Sequence, residues 1–125
     1  MSDNIDSKLW DAAKAGDEAW VSQLLGQGAS ADWRDEHGYR TALHLAALYG
    51  HTSVVTRLLD AGWSLEARNG NGDTPLAWAA DSGEMETVKC LLLRGSNIDT
   101  QNVNKWTPLH VASLKGYNEM IKTLL

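Results

Sequence analysis

The residues in this sequence best equipped for chemistry are two histidines that each follow a threonine by three positions, His44 after Thr41 and His110 after Thr107. That spacing is one helical turn, so ring and hydroxyl can share a hydrogen bond across it. Such a pair serves a helix end structurally. The catalytic alternative, an independent hydrolase, would have to draw on His44 and Asp73. Nothing around them completes a centre: no Gly-x-Ser-x-Gly elbow, phosphate-cradling glycine loop or dinucleotide fingerprint occurs. Zinc would want paired His/Cys ligands, as in H-E-x-x-H or paired C-x-x-C, whereas His37 and His51 stand isolated. Cys90, aligned with Arg57 and Thr123 beside an apolar stripe, reads as a partly buried, inert thiol. The acidic residues scatter instead of pairing around a slot. No catalytic residue, cofactor or metal ligand is therefore assigned, and the chain is read as non-enzymatic.

Charge narrows the partner class. Sixteen acidic side chains against 11 basic ones give a net charge of −5, and no basic run occurs. Phosphate recognition needs clustered Lys and Arg, so neither nucleic acid nor an acidic membrane surface is an expected partner. A single cysteine excludes an intrachain disulfide and fits a reducing compartment. The polar amino terminus has no apolar stretch of signal-peptide or membrane-spanning length, which places the expectation in cytoplasm or nucleus.

The elements that must carry these residues come from a repeat. Thr41-Ala42-Leu43-His44-Leu45-Ala46-Ala47-Leu48-Tyr49-Gly50 returns as Thr74 to Gly83 and again as Thr107 to Gly116, with 74 − 41 = 33 and 107 − 74 = 33. A degraded copy begins at Ser7, where Leu9, Ala12, Ala13 and Gly16 precede Leu43, Ala46, Ala47 and Gly50 by 34. After each copy comes an apolar stripe at helical spacing, such as Val54, Val55, Leu58 and Leu59. Each unit is a helical hairpin too small to bury a core alone, so stacking is obligatory.

The T-P-L-H-x-A core at this period resembles the ankyrin repeat, over about residues 7 to 125. The resemblance implies an all-α fold, an α-solenoid of helix-turn-helix units joined by β-hairpin loops. One domain, 1–125, would hold repeats at about 7–35 as an amino-terminal cap, 36–68, 69–101 and an incomplete 102–125. It also implies that His44 and His110 reach a backbone group in the adjoining loop, a network that Ala77 and Trp10 leave incomplete in the other units.

Along the chain, Met1 to Asp6 reads as a polar, mobile lead and Ser7 as the cap of a helix over Lys8 to Ala15. Further helices are expected at Glu18 to Leu25, Ala42 to Tyr49 and Thr52 to Asp60, and Pro75 suits a first helical position. Asp11 fills the slot of Leu45, Trp78 and Val111, so its face should lack a neighbouring repeat. Thirteen steps separate Gly28 from Thr41 against 12 from Gly62 to Thr74, which puts an extra residue near His37-Gly38-Tyr39-Arg40 and makes Tyr39 and Arg40 stand out side by side. Met120, Ile121, Leu124 and Leu125 carry no polar replacements, so the residues are expected to belong to a longer chain, the alternatives being a frayed natural end or a covering partner.

The tryptophans divide by slot. Trp78, Trp20 and Trp10 are expected to pack inside, Trp63 and Trp33 to be half covered, and Trp106, aligned with Asp73, to stand in a projecting tip with Val103, Asn104 and Lys105. By resemblance, the tips and the outward positions of the first helices line a concave groove for partners. The matching strip is Tyr39, Arg40, Leu48, Tyr49, Trp106, Leu114 and Lys115, with Asp73 and Asp81 putting acid in its middle. Exposed Tyr, Trp and Arg are the types that dominate interfaces. The expected function is a monomeric, non-catalytic module that binds a protein or peptide along that face. The alternative is a regulatory or targeting domain of a longer enzyme or channel.

Overall fold

In a computed structural model the chain is described over residues 4–30 and 33–125. Among these residues eight helices form four hairpins: α1 (Ile5–Ala15) with α2 (Glu18–Gly26), α3 (Ala42–Leu48) with α4 (Thr52–Asp60), α5 (Pro75–Ser82) with α6 (Met85–Leu93), and α7 (Pro108–Lys115) with α8 (Asn118–Leu124). The first helices stack in the order α1, α3, α5, α7, and behind them α2, α4 and α6 stack in a second layer. The result is the all-α solenoid expected from the repeat.

Small side chains set the spacing. Ala12 and Ala13, Ala46 and Ala47, Ala79 and Ala80 are fully buried, so the first helices approach closely while Leu9, Leu43 and Leu76 fill the gaps at 0% exposure. The second layer buries Val21, Val54, Val55, Leu58, Val88 and Leu91. Val54, Val55 and Leu58 are stripe positions read from the sequence, and Val21, Val88 and Leu91 hold the matching places in the neighbouring hairpins.

Each later first helix opens on a threonine. Thr41, Thr74 and Thr107 accept the N–H of the residue three on, and Pro75 and Pro108 occupy the first helical position. In α1 the expectation fails. Asn4 is the cap, its Oδ1 accepting from the Asp6 N–H at 2.7 Å, while Ser7 sits inside the helix and donates to the Asn4 carbonyl. Ile5, packed against the core, adds a turn that the sequence reading gave to the polar lead, so Ile5 and Asp6 belong to α1. Met1 to Asp3 lie outside the described residues. Asp11 is exposed, as its slot required.

The loops project as tight turns, with no strand among the described residues, so the expected β-hairpins reduce to a turn and a closing bond between its two ends. Asp35 N–H donates to the Arg40 carbonyl, Asn69 N–H to Asp73 and Asn102 N–H to Trp106. The first of these spans one residue more than the other two, which locates the insertion. Gly70 N–H donates to the Gly38 carbonyl (2.8 Å) and Val103 N–H to Asn71 (2.9 Å), so successive tips hang from one another. Arg34 donates to the Arg68 carbonyl and Arg68 to Gln101, a second tie between neighbours.

Tip geometry demands a left-handed residue at one position. Gly72 takes it at φ 77°, and Tyr39 and Lys105 take it at 54° and 66°. A side chain there costs about 1–2 kcal/mol, against about 0.5–1 for the extra freedom glycine loses on folding. Lys105→Gly is therefore expected to raise stability by roughly 0.5–1 kcal/mol, read as a higher urea midpoint with unchanged slope. A lower midpoint would mean that the Lys105 side chain contributes more than its backbone strain costs.

Candidate functional site

Three side chains stand in a row because three tips close alike. Asp35, Asn69 and Asn102 each turn a side-chain oxygen back onto the last residue of the tip: Oδ1 of Asp35 accepts from Arg40 N–H (2.7 Å), that of Asn69 from Asp73 (2.9 Å), that of Asn102 from Trp106 (3.0 Å). Arg40, Asp73 and Trp106 are thereby held at equivalent points, one per repeat, directly before the capping threonines. The first helices form the adjoining wall.

Between the third and fourth repeats this wall and the tips enclose a cleft of about 230 Å³. Asp73, Asp81, Trp106, Leu114 and Lys115 all line it, five of the residues chosen from sequence. Trp106 is 40% and Leu114 70% exposed. The Trp106 ring lies tilted against His110, with centroids 6.4 Å apart. Asp73 accepts from the Trp78 indole N–H at 3.4 Å and from the Asn102 amide at 3.0 Å. Lys115 Nζ stands 3.6 Å from an Asp81 oxygen.

Four further lining residues, Ala77, Trp78, Asn102 and Val111, were not in the sequence-derived strip. Trp78 is the consequential one, since it was expected in the core and is half-buried instead. Its slot holds Leu45 and Val111 in neighbouring repeats; Leu45 is buried, whereas Val111, like Trp78, is half-buried and lines the cleft. For Asn102 the signal was alignment with Asn69 and Asp35. Trp63 departs the other way, being 6% exposed where half cover was expected.

The second repeat holds the rest of the strip differently. Arg40 does not stand out. Its guanidinium folds back, Nε donating to Asp35 Oδ2 at 3.1 Å with Nη2 on the same oxygen, and it lies 5.2 Å from the Trp10 ring centroid. Burial pushes the Asp35 carboxyl upward, but the Arg40 N–H donors and charge outweigh it and hold the group below the usual carboxylate range. Arg40 also borders a wider cleft of about 380 Å³ between the tips of the second and third repeats, whose far side is Trp78. Tyr39 (62% exposed), Tyr49 (48%, its ring 6.3 Å from His51) and half-buried Leu48 line neither cleft.

The histidines serve the scaffold. In both His44 and His110 the ring Nδ1 accepts the N–H of the preceding threonine, closing a reciprocal capping box. His44 is fully buried, and its Nε2 donates to the Asp73 carbonyl at 2.8 Å in the next tip, while His110 is exposed. Cys90 is half-buried with Sγ 3.6 Å from the Thr56 hydroxyl. Among the described residues no three His, Cys, Asp or Glu side chains gather as a metal site, and no helix is long and apolar enough to cross a membrane.

Known proteins share this pattern. The family model described as ankyrin repeats, in three copies, matches residues 9–102 and 71–125. An ankyrin repeat-containing protein of Schizosaccharomyces pombe is 39% identical over 68 residues, 54% of this chain and 32% of that protein. Human ankyrin repeat domain-containing protein 63 is 44% identical over 64 residues, 51% of this chain and 17% of its own. A transient receptor potential cation channel subfamily A member 1 homologue of Caenorhabditis elegans is 37% identical over 92 residues, 68% of this chain and 7% of the channel. The chain thus spans about a third or less of the length of each. With stacked helical pairs, threonine caps on the later first helices and a histidine bridging to the next tip, matched by the family's own pattern over residues 9–125, this chain belongs to the ankyrin-repeat family.

Proposed function

We propose that the chain is a non-catalytic, monomeric interaction module of cytoplasm or nucleus, and that it grips a protein or peptide along the concave face formed by tips and first helices. Ankyrin repeats are generally protein-interaction modules. The observation that supports the face is the cleft where Trp78, Trp106 and Leu114 offer apolar surface beside Asp73 and Asp81. Tryptophan is among the residue types most often found as interface hot spots, and a partner seated here would desolvate Trp106 and Leu114.

Trp106→Ala with Leu114→Ala is expected to weaken binding to a partner recovered by affinity purification by about tenfold or more, roughly 1.4 kcal/mol. Leu93→Ala, at an 88% exposed leucine of α6 that lines no part of the cleft, serves as the control and should leave binding unchanged. Equal isotherms for all three proteins would sink the concave-face assignment. A second reading, supported by the 7% of the channel homologue that the match occupies, makes the module a regulatory or targeting part of a longer enzyme or channel. The reading frame on either side of these residues decides it.

A further inference from the structure

Along the concave strip one carboxylate pairs with a guanidinium of the chain and another, among the described residues, pairs with none. In the first case, Arg40 is held by the Asp35 carboxylate and lies over the Trp10 indole. One repeat along, at the point of its tip equivalent to Arg40, Asp73 shares a cleft with two indoles, Trp78 and Trp106. Its side-chain donors there, the Trp78 N–H and the Asn102 amide, are both neutral. A carboxylate offers about four acceptor sites, so two remain for a further donor. Among the described residues no lysine or arginine forms an ion pair with Asp73, and the cation that lines the same cleft, Lys115, stands against Asp81.

We propose that this cleft receives an arginine side chain of the partner, its guanidinium against the Asp73 carboxylate and its flat faces toward Trp78 and Trp106. This rests on the concave-face reading above. Arginine is specified over lysine because its planar fork can engage both carboxylate oxygens while stacking on an indole, which a compact, strongly hydrated ammonium does poorly. The chain's net charge of −5 favours the approach of such a segment.

The test is a positional-scanning peptide library screened against the whole chain and against Asp73→Asn and Trp106→Ala variants whose thermal unfolding is first shown to remain cooperative. Selected peptides should carry arginine at one position in preference to lysine or glutamine. Replacing that arginine with glutamine should weaken binding about tenfold, and Asp73→Asn should weaken the arginine peptide but not its glutamine version, so that the two changes are coupled. Peptides that depend on Trp106 yet show no arginine preference, or whose arginine is indifferent to Asp73→Asn, overturn the arginine assignment and leave the concave-face reading standing. Recovery of no peptide, or of peptides that neither variant affects, overturns both.

Discussion

Lowering the pH from about 6.5 to about 4 should cost the fold roughly 3 kcal/mol through His44 alone, most of it above about pH 5, where ordinary carboxylates are still largely ionised. The ring is fully buried, and burial is the main cause that lowers its pKa from 6.5 to about 4; the nearby Arg34 and Arg40 add to the effect, and the hydrogen bond to the Asp73 carbonyl opposes it. Hydrogen bonding gives the same direction. Nδ1 already accepts from the Thr41 N–H at 3.2 Å, and a proton placed there would turn an acceptor into a second donor facing the first.

The sign follows from proton counts. Above about pH 6.5 both folded and unfolded chains hold His44 neutral and the contribution is constant. Between about 6.5 and about 4 the unfolded chain binds a proton that the folded chain refuses, so stability falls by about 1.4 kcal/mol per pH unit as the solution is acidified. Below about 4 both states are protonated and the loss levels off. Asp35 acts in a lower window: its depressed carboxyl contributes stability that is present above the ordinary 3.8 and lost as pH falls beneath it. Urea unfolding at successive pH values should show the slope for the native chain and a flatter one for His44→Gln, whose amide oxygen can still accept the Thr41 N–H. A glutamine variant that keeps the native slope would assign the effect elsewhere.

How much of this was legible beforehand divides along a physical line. Period, helix pairs, the alanine pairs and the threonine caps follow from local pattern, and a repeat multiplies each local signal. The bridge from His44 to the next tip came with the family resemblance and is present. What escaped depends on what covers a slot and on competition between nearby groups. Trp78 has an apolar side chain in an apolar slot, and the pattern does not tell that this slot is closed over at Leu45 yet borders the cleft at Trp78 and Val111. Arg40 was read as projecting, yet Asp35, five residues earlier, captures it, and no periodic rule specifies which acid an arginine will choose. Ser7 lost the cap to Asn4 because two good capping residues lie three apart, and the packing of Ile5 breaks the tie. The concave strip suffered most, since its alignment gave positions along the wall but not which side chains turn inward: Trp106, Leu114 and both acids converge, whereas Tyr39, Leu48 and Tyr49 line neither cleft.

One substitution made at two equivalent slots measures how far stacking itself holds the chain together. Leu76, in α5, is fully buried with α3 on one side and α7 on the other, whereas Leu109 occupies the same slot of α7 and is half-buried, packed on α5 and α8. Truncating a fully enclosed leucine forfeits its transfer free energy and leaves a cavity that close-packed neighbours fill poorly, about 3–4 kcal/mol in all. At a half-covered slot, solvent and adjoining side chains take up the vacated space, the cavity penalty largely disappears and roughly 1–2 kcal/mol remains. Leu76→Ala should therefore lower the unfolding free energy by about twice as much as Leu109→Ala, a gap of about 2 kcal/mol in urea titrations with equal slopes. The local sequences, Thr-Pro-Leu followed by a helix, are the same at both sites, so intrinsic helix propensity cancels in the comparison. Equal losses at the two sites would mean that each hairpin is stabilised chiefly from within. The expected inequality places the stabilising contacts between neighbours, where a solenoid of units too small to fold alone requires them to be.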